Sequence, residues 1–122
     1  MKPIRIYEYQ TCSTCRKARQ FLAQHDIPHE LLDITAQAPS VEELKTMAQK
    51  HLKGDIKKLF NTSGQEYRRL GLKDKVSSMT EDEAYKLLSK NGMLVKRPFA
   101  LHDKAGAVGF RSEIWEQLFL KL

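Results

Sequence analysis

Cys12-Ser13-Thr14-Cys15 holds the residues of this chain best suited to chemistry, and its two cysteines are the only ones present. Sulfurs three residues apart at a helix start lie about one turn apart on the same side, close enough to bond each other with little backbone movement. The first sits where free backbone N–H groups and the positive helix end favour a thiolate. An unperturbed thiol, with a pKa near 8.5, is only about 3% ionised at pH 7. Cys-x-x-Cys motifs bring that pKa down to about 3.5 to 7.5. No Asp or Glu falls between Tyr9 and His25, whereas Arg16, Lys17 and Arg19 do. Cys12 is therefore the candidate nucleophile. Cys15 is the candidate resolving thiol, breaking a mixed disulfide by attack on Cys12.

A metal offers the rival chemistry. Cys12, Cys15, His25 and His29 follow a C-x2-C-x9-H-x3-H spacing, which has the outline of a zinc finger. Here both cysteines open a helix, and Pro28 separates the histidines. A helix of about ten residues would hold Cys15 and His25 roughly 15 Å apart. No metal site is expected. His25 and His51 read as packing residues on helix faces, and His29 and His102 as exposed.

The elements that must position the pair follow from hydrophobic periodicity. Residues 3–8 read as a strand, with Ile4 and Ile6 on one face and Arg5 and Tyr7 on the other. Residues 13–25 read as a helix with Cys15, Ala18, Phe21, Leu22 and His25 inward. Residues 30–34 read as a second strand, parallel to the first through this crossover. Ser40 with Glu43, and Thr80 with Glu83, are capping-box signatures. The first opens a helix with Val41, Leu44, Met47, Ala48 and His51 inward, ended by Gly54. The second opens one carrying Ala84, Leu87 and Leu88, closed by Asn91-Gly92. Between them lie a helical turn over 55–60 and a helix capped by Thr62 or Ser63 and closed by Gly71. Residues 99–101 and 107–110 form a hairpin around a loop of about five residues. Ser112 caps a last helix with Ile114, Trp115, Leu118 and Phe119 inward. The fold class is α/β: a βαβ unit and a ββα unit on a mixed four-stranded sheet, with a helical insertion near residues 36–92.

At 122 residues, 41% of them hydrophobic and 30% charged, the chain reads as one globular domain spanning 1–122. Two cysteines are too few for a disulfide scaffold. Residues 1–5 lack the apolar run of a signal peptide, and no stretch approaches a membrane span. These features point to a reducing cytoplasm and no membrane partner. The net charge of +6 is spread along the chain in clusters too short for a nucleic-acid arm, so no direct DNA binding is expected.

Thr11-Cys12-Ser13-Thr14-Cys15-Arg16-Lys17-Ala18-Arg19 after a short strand, then Leu94-Val95-Lys96-Arg97-Pro98-Phe99, resembles the ArsC/Spx family. The match includes Leu59-Phe60-Asn61-Thr62 and Val108-Gly109-Phe110 and covers almost the whole chain. The resemblance implies a thioredoxin-like fold with a helical insertion, redox chemistry at Cys12, and a cis peptide at Pro98 facing the cysteine pair. It implies no bound cofactor, with glutathione or a glutaredoxin or thioredoxin supplying electrons. Arg97 matches one of three arginines that hold arsenate in the family's reductases. The second position falls near Leu59-Phe60-Asn61, where no arginine stands. Near the third, only Arg111 could substitute. Arg97 is expected to serve catalysis and, with Pro98, Thr11, Arg16 and Arg111, to bind the substrate. Two functions follow as expectations. One is a thiol-dependent reductase of a disulfide or a small oxyanion such as arsenate. The other is an Spx-like redox-sensing regulator that binds the C-terminal domain of the RNA polymerase α subunit.

Overall fold

The computed structural model describes residues 2–122. Four strands, β1 (Ile4–Glu8), β2 (His29–Asp33), β3 (Phe99–Leu101) and β4 (Gly106–Val108), form one sheet in the order β2-β1-β3-β4. β1 runs parallel to β2 and antiparallel to β3, and β4 pairs antiparallel with β3. The parallel pair needs a crossover, which α1 (Ser13–Gln24) supplies. The expected α/β architecture with a mixed four-stranded sheet is the one observed.

Alternation along β1 divides the core in two. Ile4 and Ile6 face α1 and the last helix, α5 (Ser112–Phe119), and pack with Ala18, Phe21, Leu22, Trp115 and Phe119. Trp115 stands edge-on to Phe21, Phe110 and Phe119, and its indole N–H donates to the Gly109 carbonyl at 3.2 Å. Tyr7 faces the other way, edge-on to Phe99, into a core built by the insertion.

That insertion holds α2 (Val41–Thr46), α3 (Gln65–Arg69) and α4 (Glu81–Lys90), joined by short 3-10 turns. Both capping boxes form as read. α2 widens into a π-helical turn over Met47–His51, and the chain leaves it through Gly54 at φ +79°. Residues 59–61 pair with 94–96: the Asn61 N–H donates to the Leu94 carbonyl and the Lys96 N–H to the Leu59 carbonyl, both at 2.7 Å. This small ladder ties the insertion to the segment that enters β3. Gly92 opens the turn just before it, where a Cβ would stand 2.0 Å from the Ile34 carbonyl oxygen, so only glycine allows that approach.

Several local expectations need correction. The second strand begins at His29 and ends at Asp33, though Ile34 is buried and its N–H still donates to the Glu8 carbonyl at 3.0 Å. The final strand stops at Val108, because Gly109 turns away at φ +75°. α3 is capped by Gly64 rather than Thr62 or Ser63, and α5 by Arg111, with Ser112 its first residue. His25 lies exposed at the α1 C-cap, leaning on Phe21. Val41 and Ile114 are exposed because each lies in a helix's first turn, ahead of the residues that meet the core. His102 is buried instead of exposed, because its Nδ1 accepts the Lys104 N–H at 3.1 Å and folds the ring into the hairpin loop.

Candidate functional site

The turn after β1 sets the site. The Cys12 N–H donates to the Tyr9 carbonyl at 3.0 Å, which reverses the chain and leaves Cys12 extended at the N-cap of α1. A helix start has free N–H groups, usually satisfied by a Ser, Thr, Asp or Asn oxygen. Here the sulfur does it: Cys12 Sγ accepts the Cys15 N–H at 3.3 Å. An acceptor at this place gains from negative charge. Cys12 is half-buried and Cys15 fully buried, and both are free thiols.

The two sulfurs are pushed in opposite directions. Burial raises the Cys12 thiol, but hydrogen bonding from the Cys15 thiol and backbone N–H, with the charge of Arg97, outweighs it. Cys12 therefore ionises below the usual thiol range. Cys15 is pushed up to about 12 by burial first, then by the Cys12 sulfur and the Glu8 carboxylate. Glu8 ends β1 and pairs with Arg19 of α1, whose other nitrogen donates to the Gln10 carbonyl at 3.2 Å. A separation of this kind leaves one sulfur able to act as a thiolate while the other stays protonated.

A cleft of about 670 Å³ opens onto Cys12. Cys12 and Thr14 form one wall, Asn61 and Ser63–Glu66 of the insertion a second, and Met93, Lys96 and Arg97 a third. The Arg97 guanidinium lies 5.4 Å from the centre of the Tyr9 ring, and its Nη1 is 3.5 Å from the Met93 sulfur. Glu66 is held down to about 2 by Arg69, which grips it with two bonds of 2.9 and 2.8 Å, and by Asn91. Glu66 is therefore already engaged, and among the described residues Lys96 and Arg97, which line the same cleft, form no ion pair.

Of the seven residues singled out by sequence, Cys12 and Arg97 meet in this cleft. Cys15 lies beneath Cys12. Pro98 is buried behind Arg97, joined to it by a cis peptide bond, and its carbonyl accepts the Gly109 N–H at 2.9 Å. Thr11, Arg16 and Arg111 are exposed and do not line the cleft. The insertion's contribution, Asn61 and Ser63–Glu66, is a wall that sequence reasoning misses. Its Asn-Thr-Ser-Gly run signals a polar loop, and the pairing with residues 94–96 that brings it to Cys12 is long-range. Cys12 and His25 cap opposite ends of α1. Among the described residues no three His, Cys, Asp or Glu gather as a metal ion requires.

The sequence profile of the ArsC family matches residues 7–118. The chain belongs to the ArsC family. It is 44% identical over 112 residues to the uncharacterized protein YusI of Bacillus subtilis strain 168, covering 92% of this chain and 94% of that one. It is 26% identical over 110 residues to the global transcriptional regulator Spx of Listeria innocua serovar 6a, covering 90% and 82%. Among solved structures, an ArsC-family-related protein from Bacteroides fragilis superposes with a TM-score of 0.89 at 40% identity, over 95% of this chain and 97% of that one. A protein named as a possible arsenate reductase from Streptococcus mutans UA159 superposes at 0.82 and 39% identity, over 89% and 92%. These likenesses place the chain with a family of reductase kind that also includes Spx-named regulators. Among the described residues, no helix is long and apolar enough to cross a membrane.

Proposed function

We propose that this chain is a thiol-dependent reductase in which Cys12 is the attacking group. One observation carries the reading: the Cys12 sulfur caps α1, accepts the Cys15 N–H at 3.3 Å and has its thiol held low beside Arg97. In a disulfide substrate the Cys12 thiolate attacks one sulfur, the S–S bond breaks, and the other half leaves as a thiolate. The pair of causes that raise Cys15 through Cys12, the hydrogen bond and the thiolate charge, disappears once Cys12 is in the mixed disulfide. Cys15 then loses its proton more readily, attacks Cys12 Sγ and expels the bound half. The protein is left oxidised, with a Cys12–Cys15 bond. Two external thiol equivalents, from glutathione or a glutaredoxin or thioredoxin, return it to the dithiol.

Cleft composition favours a disulfide over arsenate. Among the described residues its cations are Lys96 and Arg97, Asn61 stands on the wall where the resemblance puts a second arginine, and Arg111 is outside. The Cys12→Ser protein is expected to lose reduction of bis(2-hydroxyethyl) disulfide to background. Cys15→Ser should accumulate a mixed disulfide on Cys12, read as an added mass that dithiothreitol removes. Full turnover by Cys12→Ser would reject the mechanism. A second reading, a redox-sensing regulator that binds the RNA polymerase α C-terminal domain, draws on the likeness to Spx across 90% of this chain. Capture of that domain by one redox state of the protein, but not the other, would favour it.

A further inference from the structure

On the far side of the ladder that joins residues 59–61 to 94–96 lies a second depression, of about 480 Å³. Its floor is apolar: Leu52, Phe60 and Val108, of which Phe60 is buried and the other two half-buried. Its rim is cationic. Lys57, Lys58 and Lys96 are exposed, and among the described residues none of them forms an ion pair. The acid at this rim, Asp55, accepts the Lys57 N–H at 3.1 Å as the cap of the turn over residues 56–59. The groove and the Cys12 cleft meet at Lys96, which borders both, and at the Asn61-Thr62 step, whose two residues line one each.

A small disulfide occupies the cleft alone and has no use for this extension. Each depression is of the size that holds one small ligand, and a molecule spanning both is longer. Apolar floor and unpaired lysines together call for a partner with apolar side chains and net negative charge. We propose that the groove docks an acidic segment of a disulfide-bearing protein, which continues past Lys96 and delivers its disulfide to Cys12. This inference rests on the reading of Cys12 as nucleophile and assigns the class of its substrate. The covalent step is the one already given: Cys12–S⁻ joins one half of the partner's disulfide, and the other half leaves as a thiolate.

The test uses the full chain, reduced and freed of reductant, in single turnover. Two substrates are compared: a disulfide-linked dimer of a short peptide bearing Asp, Glu and Leu beside one Cys, and neutral bis(2-hydroxyethyl) disulfide. The double variant Lys57→Glu/Lys58→Glu touches the groove and leaves the cleft intact. It should raise the peptide concentration for half-maximal rate by about tenfold at low salt, with the limiting rate unchanged and the difference shrinking as salt screens it. Its rate with the neutral disulfide should equal that of the wild type. If the variant handles the acidic peptide like the wild type while both reduce the neutral disulfide, the groove proposal is overturned and the reductase reading stands. If neither substrate reacts with the wild type, the reductase reading fails and takes the proposal with it. If a single-stranded oligonucleotide of equal charge displaces the peptide and binds more tightly than it, the assignment to a protein segment is overturned.

Discussion

Two polar clusters flank strand β1, one around Arg5 near its amino end and one around Lys96 and Arg97 beyond its carboxyl end, and their cations are met differently. Near the amino end Arg5 donates to Glu43 at 3.2 Å, to Glu30 at 3.3 Å and to the Tyr7 hydroxyl at 3.0 Å, and Tyr7 donates to Glu43 at 2.7 Å. Arg5, Glu30 and Glu43 each have an opposite charge within 3.3 Å. Beyond the carboxyl end, Arg97 meets a thioether and an aromatic face instead of a carboxylate, and Lys96 has no acid partner among the described residues. Compensated charges bind elements to one another and produce little outward field. Cations left over beside a sulfur spend their field on that sulfur. The strand thus lies between a compensated polar cluster near one end and, beyond the other, cations left beside the Cys12 sulfur.

The sharpest way to break this contrast is to remove the centre of the first cluster. Glu43 accepts from Tyr7 and Arg5 and also, at 3.1 Å, from the Ser40 N–H that its capping box requires. Glu43→Ala leaves the part-buried Tyr7 hydroxyl without its acceptor and should cost about 2 kcal/mol in urea unfolding. The alkylation rate of Cys12 should not change. A loss of Cys12 reactivity in step with stability would mean that the two ends are one unit.

Acid titration gives a smaller and more specific effect. Burial raises the Glu43 carboxyl, but the hydrogen bonds from Tyr7 and Ser40 and the Arg5 charge prevail and hold it below its ordinary value. A carboxyl depressed in the folded state stabilises above its unfolded pKa, about 4.3. That contribution drains away as pH falls from there through the folded value. The urea midpoint of the wild type should therefore drop between about pH 5 and pH 3 more steeply than that of Glu43→Gln. Parallel slopes would remove Glu43 from the acid response.

The legible parts of this molecule are those specified by neighbours in sequence. The period of two in residues 4–7 sorted Ile6 from Tyr7 onto the two cores, and Ser40 with Glu43 announced a helix start that formed as read. Cys12 and Cys15 were legible as two sulfurs at a strand-to-helix turn, where they lie. What stayed hidden depends on contacts between distant segments. The wall of Asn61 and Ser63–Glu66 reaches Cys12 only because residues 59–61 pair with 94–96. Glu8 lies outside the acid-free window of residues 10–24, yet the fold brings its carboxylate to bear on Cys15. Thr11, Arg16 and Arg111 were attached to the site by nearness in sequence or by resemblance, and no pairing brings them to the cleft. His102 differs for another reason: its ring is held by a turn contact only two residues away, from the Lys104 N–H, which strand periodicity does not report.

The reactive end is sharpened by Arg97. Its charge contributes to lowering Cys12, behind the hydrogen bonds from Cys15, so removing it should weaken the thiol's acidity without restoring it to that of free cysteine. Arg97→Gln is expected to shift the pH profile of Cys12 alkylation upward and to slow the reaction at pH 7 by about three- to tenfold. The urea midpoint should hardly move, because no carboxylate loses a partner. Arg97→Lys keeps a positive charge but loses the planar group over Tyr9, so it should recover only part of the rate. That intermediate value separates two causes: full recovery by lysine assigns the effect to charge alone, and none assigns it to the guanidinium's placement. Superimposable profiles for all three proteins would show that the helix start and Cys15 activate the sulfur by themselves, and that the unpaired cations serve the substrate instead.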